Sequence, residues 1–123
     1  MASYDMMRSY LDKIVAGDFV GAESYYTDDV VVHFAGWKDT HGKDEYNAAL
    51  GEMMGMVDSL QVEEHDLLVS DDHAVVLNDW HITKGDRDER VNHVVIYHTD
   101  GDKISEIWVV AEDQQTMNEL MSG

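Results

Sequence analysis

The sequence contains no cysteine and no proline. Without cysteine, disulfides, thiolate metal sites and a cysteine nucleophile are all excluded. Cationic residues are scarce as well: 8 Lys and Arg face 26 Asp and Glu, for a formal charge of −18. So few cations cannot assemble a basic groove for a phosphate backbone, and an anionic membrane surface would repel the chain. Nucleic acid and membranes are therefore not expected partners. No run of about 18 apolar residues occurs, so no transmembrane helix is expected. The opening residues Met1-Ala2-Ser3-Tyr4-Asp5 lack the basic-then-apolar pattern of a secretory leader. A cytoplasmic location is the resulting expectation.

What is present suffices for one core. The chain has 123 residues, 44% of them apolar, which fits a single domain over 1–123. The acid excess has two readings. One is adaptation to a salt-rich environment, as in a halophilic protein; the other is an ordinary acidic protein.

Periodicity supplies the elements. Met6, Met7, Tyr10, Leu11, Ile14 and Val15 repeat at helical spacing, with Ser3 as N-cap and Gly17 as stop. Asp18 caps a short second helix that turns Phe19, Ala22, Tyr25 and Tyr26 inward. Val30-Val31-Val32-His33-Phe34 is β-branched and aromatic, hence a strand. Residues 36–42 read as a loop, and a third helix is predicted from Lys43 to Ser59. Four strands follow, over 61–69, 73–84, 89–99 and 103–112, separated by Asp- and Gly-rich turns that imply antiparallel hairpins. A last short helix is predicted over 113–121. Helices segregate from strands, the α+β pattern. Long strands must bend over the helices, which bulges achieve.

Three local patterns carry a family resemblance. They are Ala16-Gly17-Asp18-Phe19, the tract Tyr26-Thr27-Asp28-Asp29-Val30 through Gly42, and Asp100-Gly101-Asp102-Lys103-Ile104-Ser105-Glu106-Ile107-Trp108. Together they resemble the nuclear-transport-factor-2-like superfamily, in its SnoaL-like and ketosteroid-isomerase-like branch. The resemblance implies a cone-shaped curved antiparallel sheet with three helices from the N-terminal half on its concave face, the cystatin-like α+β barrel. It also implies one SnoaL-like domain and no cofactor.

The isomerase branch uses a tyrosine on the first helix, a base on the first strand and an acidic group on a late strand, a case of pKa tuning. By resemblance these positions fall on Tyr10, on His33, and on Asn92 or His93. The register of the strand over 89–99 leaves open which of the last two faces inward. An imidazole at His33 would suit a general base near neutral pH, or be a strand histidine with one bonded nitrogen. Tyr10 could donate to an oxyanion or serve the core, or both. SnoaL-like cyclases place an acid where this chain has Val109, so that mechanism lacks its acid. His81, His93 and His98 invite a metal reading, but their spacing sends His93 and His98 to opposite faces, and no metal is expected.

Phe34, Trp37, Trp80 and Trp108, with Met53, Met54 and Met56, are candidates to line an apolar cavity or to fill the core. The strands Val94-Val95-Ile96-Tyr97 and Ile107-Trp108-Val109-Val110 are apolar on both faces. One face must meet something other than water, so a homodimer through the sheet is expected. The leading functional expectation is isomerase- or cyclase-type proton transfer α to a carbonyl on a neutral hydrophobic substrate. A non-catalytic ligand-binding or dimerisation module is the alternative, and a hydrolase or dehydratase the third.

Overall fold

The computed structural model describes residues 3–122. Helix α1 runs Tyr4–Val15, α2 Phe19–Ala22, and a 3₁₀ turn Glu23–Tyr25 leads into β1, Tyr26–Phe34. There follow β2 (Lys38–His41), α3 (Lys43–Gly55), β3 (Ser59–Val69), β4 (His73–Lys84), β5 (Arg87–Asp100), β6 (Lys103–Ala111) and α4 (Gln114–Leu120). The helix ends are set by the expected chemistry. Ser3 Oγ accepts from the Met6 amide, and Asp18 accepts from Gly21 at 2.8 Å. Such caps contribute about 1 kcal/mol each. Burial of Met7, Tyr10, Leu11 and Ile14 along α1 contributes roughly 2 kcal/mol per side chain, so packing decides the helix.

The six strands form one sheet in the order β2-β1-β6-β5-β4-β3. Three features differ from the sequence reading. The segment expected as a loop contains β2, which pairs antiparallel with β1 from Val31↔His41 to Phe34↔Lys38. Only Thr40 of β2 is buried, too little to mark a strand by pattern. The sheet is also not wholly antiparallel, because β1 and β6 run parallel, with His33 beside Trp108. Helix α3 ends at Gly55 rather than Ser59, and Ser59 instead opens β3 opposite Thr83.

The registers slip by one residue at His65 of β3, between Glu64 and Asp66, and at Ser105 of β6, opposite His98 and Thr99 of β5. Arg8 of α1 pairs with Glu64 beside the first break, which ties the first helix to the far side of the sheet. The concave side holds the core contributed by α1, α3 and the inward residues of every long strand. The convex side carries a band that crosses four strands. Leu68 lies beside Val75, Val75 beside Ile96, and Ile96 beside Trp108. Leu77, Val94 and Val110 form a second row.

Gly36, in the turn between β1 and β2, sits at φ +77°, and a Cβ there would lie 2.7 Å from Cδ of Gln114 on α4. The turn and the last helix therefore meet at van der Waals distance. Gly36→Ala should destabilise by about 1–2 kcal/mol from the left-handed backbone alone, measured by urea denaturation. Gln114→Ala in the same background should recover the part due to the clash and leave the backbone part.

Candidate functional site

Two adjoining apolar chambers occupy the cone. The inner one, about 60 Å³, lies under α1 and α3 and is lined by Tyr10, Tyr46, Tyr97, Asn78 and surrounding aliphatic side chains. The outer one, about 170 Å³, is walled by Trp37, Trp80 and His93 and roofed by Gln114, Met117, Asn118 and Met121 of α4. Phe34, Met53, Trp80 and Val109 line both chambers and form the waist between them. Among the described residues, no Asp, Glu, Lys or Arg lines either chamber.

Among the described residues, the only histidine in this wall is His93, on β5. Strand alternation turns Val91, His93, Val95 and Tyr97 inward, each buried. The His93 ring stacks on Trp80 at 3.8 Å between centroids and 11° between planes. Its Nδ1 lies 2.9 Å from the Val91 carbonyl oxygen. A carbonyl only accepts, so Nδ1 carries the proton and donates it. The other nitrogen, Nε2, is left with a free lone pair and has no hydrogen-bond partner among the described residues. Burial penalises the imidazolium and lowers the His93 pKa to about 4, so the ring is neutral near pH 7. The tautomer and the charge state are both those of a base.

Tyr10 sits at the far end, packed edge-on against Tyr25, Tyr26 and Tyr97 with centroids 5.4–5.7 Å away. Its hydroxyl shares a 2.8 Å hydrogen bond with that of Tyr26. Burial pushes the Tyr10, Tyr26 and Tyr97 hydroxyls well up, so all three remain neutral.

Comparison with known proteins places this architecture. Residues 7–107 match the SnoaL-like domain family. The chain belongs to that family. A Xanthomonas campestris protein of unknown function with a cystatin-like fold superposes with TM-score 0.88 at 19% identity, over 100% of both chains. A proposed SnoaL-like polyketide cyclase from Jannaschia sp. CCS1 superposes with TM-score 0.79 at 11% identity, covering 97% of this chain and 94% of that one. TerC, crystallised with polyporic acid, gives 0.83 at 12% identity over 97% of each chain. At these identities the likeness is one of fold. Comparison with curated protein sequences gives no match.

Within this SnoaL-like chain, three expected site residues are elsewhere. His33 is on the convex face, because its neighbours Val32 and Phe34 take the inward positions of β1, both buried. There its ring bonds Glu106 at 2.6 Å and Asp39 at 3.0 Å, and stacks on Trp108. It lines neither chamber, so it cannot act as a base toward a ligand in the cone. Asn92 precedes His93 and points outward to solvent. Trp108 likewise lies on the convex face rather than in the cavity wall, since Ile107 and Val109 are the buried members of β6. By contrast, Phe34, Trp37, Met53 and Trp80 line the outer chamber, and Tyr10 the inner one. Val109, at the position where the cyclases have an acid, faces both chambers. No group of three or more His, Cys, Asp or Glu that could hold a metal occurs among the described residues. Among those residues no helix is long and apolar enough to cross a membrane.

Sequence reasoning passed over Asn78 and the roof residues of α4. Asn78 had a signal: it is the one polar residue in the inward series Ala74, Val76, Asn78, Trp80, Ile82 of β4. The roof had none, because its role depends on where α4 docks.

The two best-placed histidines should titrate in opposite directions. Glu106, then Asp39, hold the His33 proton and raise its pKa above the ordinary 6.5. The stability that His33 contributes is full below pH 6.5 and is lost as pH rises through its raised folded value. His93 has the reverse sign. The unfolded chain binds a proton at its site that the folded chain refuses, so stability falls as pH drops from about 6.5 to about 4, by roughly 3 kcal/mol. Histidine NMR shifts followed from pH 8 to 3.5 should show one ring protonating above 6.5 and one near 4. His93→Phe should flatten the acid limb of the stability profile.

Proposed function

We propose that the chain is a cavity enzyme in which His93 moves a proton α to the carbonyl of a neutral, apolar ligand. The observation that supports this most is the combination at His93: a neutral ring with Nδ1 protonated and Nε2 unpartnered, on a residue that lines an uncharged chamber. Nε2 would take the α-proton, the C–H electrons would shift to the carbonyl oxygen as an enolate, and the proton would return at a different carbon. A base this weak requires strong stabilisation of the enolate. The amides of Gln114 and Asn118 on α4, which line the same chamber, and the neutral tyrosine hydroxyls beyond the waist are the available donors. The uncharged walls keep water-like screening away from those bonds. The net charge of −18 turns away anionic substrates, which also favours a neutral one. A proposed polyketide cyclase among the neighbours fits enolate chemistry.

Exchange of the α-protons of 2-tetralone in D₂O, followed by NMR, tests this. The protein should accelerate exchange, with a rate that is level near neutrality and declines toward pH 4. His93→Phe should lose at least 100-fold, while His33→Ala should keep the wild-type rate. Binding of 2-tetralone with no accelerated exchange would leave a carrier and remove the enzyme.

We also propose that two copies pair through the convex sheet face. Leu68 is 53% and Val110 41% exposed at the two sides of a continuous apolar band. Such a band placed across strands can meet its own copy about a two-fold axis. Asp66 ends the second row beside Leu77 and Glu106 borders the first, so added salt should screen the repulsion between copies and tighten the pair. Light scattering should give twice the 14.0 kDa chain mass. Val110→Lys should give the single-chain mass with an unchanged far-UV spectrum.

A further inference from the structure

The inner chamber contains a polar group that the fold does not use. Asn78 is 3% exposed, and its carboxamide oxygen has no hydrogen-bond partner. Neither does the structure give its amide nitrogen a partner among the described residues. On β4 it faces the same side as Trp80 and stands opposite His93 on β5. An unpartnered buried amide is costly, and replacing it by an apolar group of the same shape is neutral or stabilising. Asn78 is therefore poor material for a core and good material for a ligand contact.

We infer that Asn78 is the specificity residue of the inner chamber and selects a ligand that carries a ring hydroxyl. This rests on the reading of the cone as the site of a neutral ligand. A hydroxyl both donates and accepts, so it satisfies the carboxamide whichever way the amide is turned. A carboxylate or ammonium would bring a charge into walls that offer no counter-ion. The sizes of the chambers assign the parts of such a ligand. The outer chamber, about 170 Å³, takes the ring system beside Trp80 and His93. The inner one, about 60 Å³, takes only the hydroxylated edge that passes the waist. The hydroxyl thus fixes which carbon of the ring lies under Nε2 of His93. Asn78 would set the site of proton transfer without taking part in it.

The test compares 2-naphthol with 2-methylnaphthalene, which differ by hydroxyl against methyl, through quenching of tryptophan fluorescence at pH 7. Water favours dissolving the naphthol, so a cavity without a polar contact should prefer the methyl compound. The wild-type protein should instead bind 2-naphthol at least tenfold more tightly. Asn78→Leu should lose or reverse that preference, and should melt no lower than wild type, which a structural asparagine would not allow. If the leucine variant does not fold, Asn78→Ala takes its place in the same measurement. Equal binding of both probes to wild type, or an unchanged preference in the variant, overturns the assignment; the latter would mean that another group of the chamber, such as a tyrosine hydroxyl, meets the ligand's hydroxyl. Failure of both probes to bind would overturn the ligand-cavity reading itself. A preserved hydroxyl preference with no His93-dependent exchange would remove the proton transfer alone.

Discussion

Successive side chains on a strand must leave the sheet on opposite sides, and here only one side is covered by helices. That constraint decides the chemistry of this protein. It places His93 in the cone and Asn92 in water, one residue apart. It places Phe34 in the cavity wall and His33 among carboxylates on the outside. Two imidazoles of the same intrinsic basicity are driven apart as a result. One keeps its proton because neighbouring carboxylates stabilise the charged ring; the other is denied it by burial. The apolar interior that denies the proton also strips competing water from any ligand beside Nε2.

The same constraint accounts for the division of labour between charge and core. The 26 acidic residues leave both chambers free of carboxylates. An Asp or Glu admitted to the wall would restore a proton to His93 and remove its lone pair. Keeping acids outside is thus a condition of the site as well as of solubility.

Much of the fold was legible along the chain, because its signals are local. The stripe of α1, the Ser3 and Asp18 caps and the Asp-rich turns of the hairpins each need only a few neighbours to be read. The candidate site was legible only in part. The hydrophobic runs of β5 and β6 are apolar on both faces, so their own pattern does not tell inward from outward. Pairing settles it, and pairing is a long-range fact: Asn78 meets His93, and His33 lies beside Trp108 only because β1 runs parallel to β6. β2 escaped notice because a four-residue edge strand with one buried side chain has no periodicity to show. The family resemblance located the right strands but transferred a base to His33, one pleat out of phase.

The attachment of α4 gives the two chambers different mechanical characters. This helix is held at its end by Lys84 Nζ, 2.7 Å from the carbonyl oxygens of both Leu120 and Ser122, and by Arg87 to Glu119. Beyond those surface bonds it buries only Met117 and Leu120, about 2 kcal/mol each. Swinging it aside would leave every strand paired. The inner chamber is enclosed by α1, α3 and the bent sheet, whose separation is global unfolding. The protein therefore has one wall whose opening is a local fluctuation and another that opens only when the molecule is lost. On the ligand-cavity proposal, the first is the way in, and the second is the fixed mould for the edge that a ligand presents.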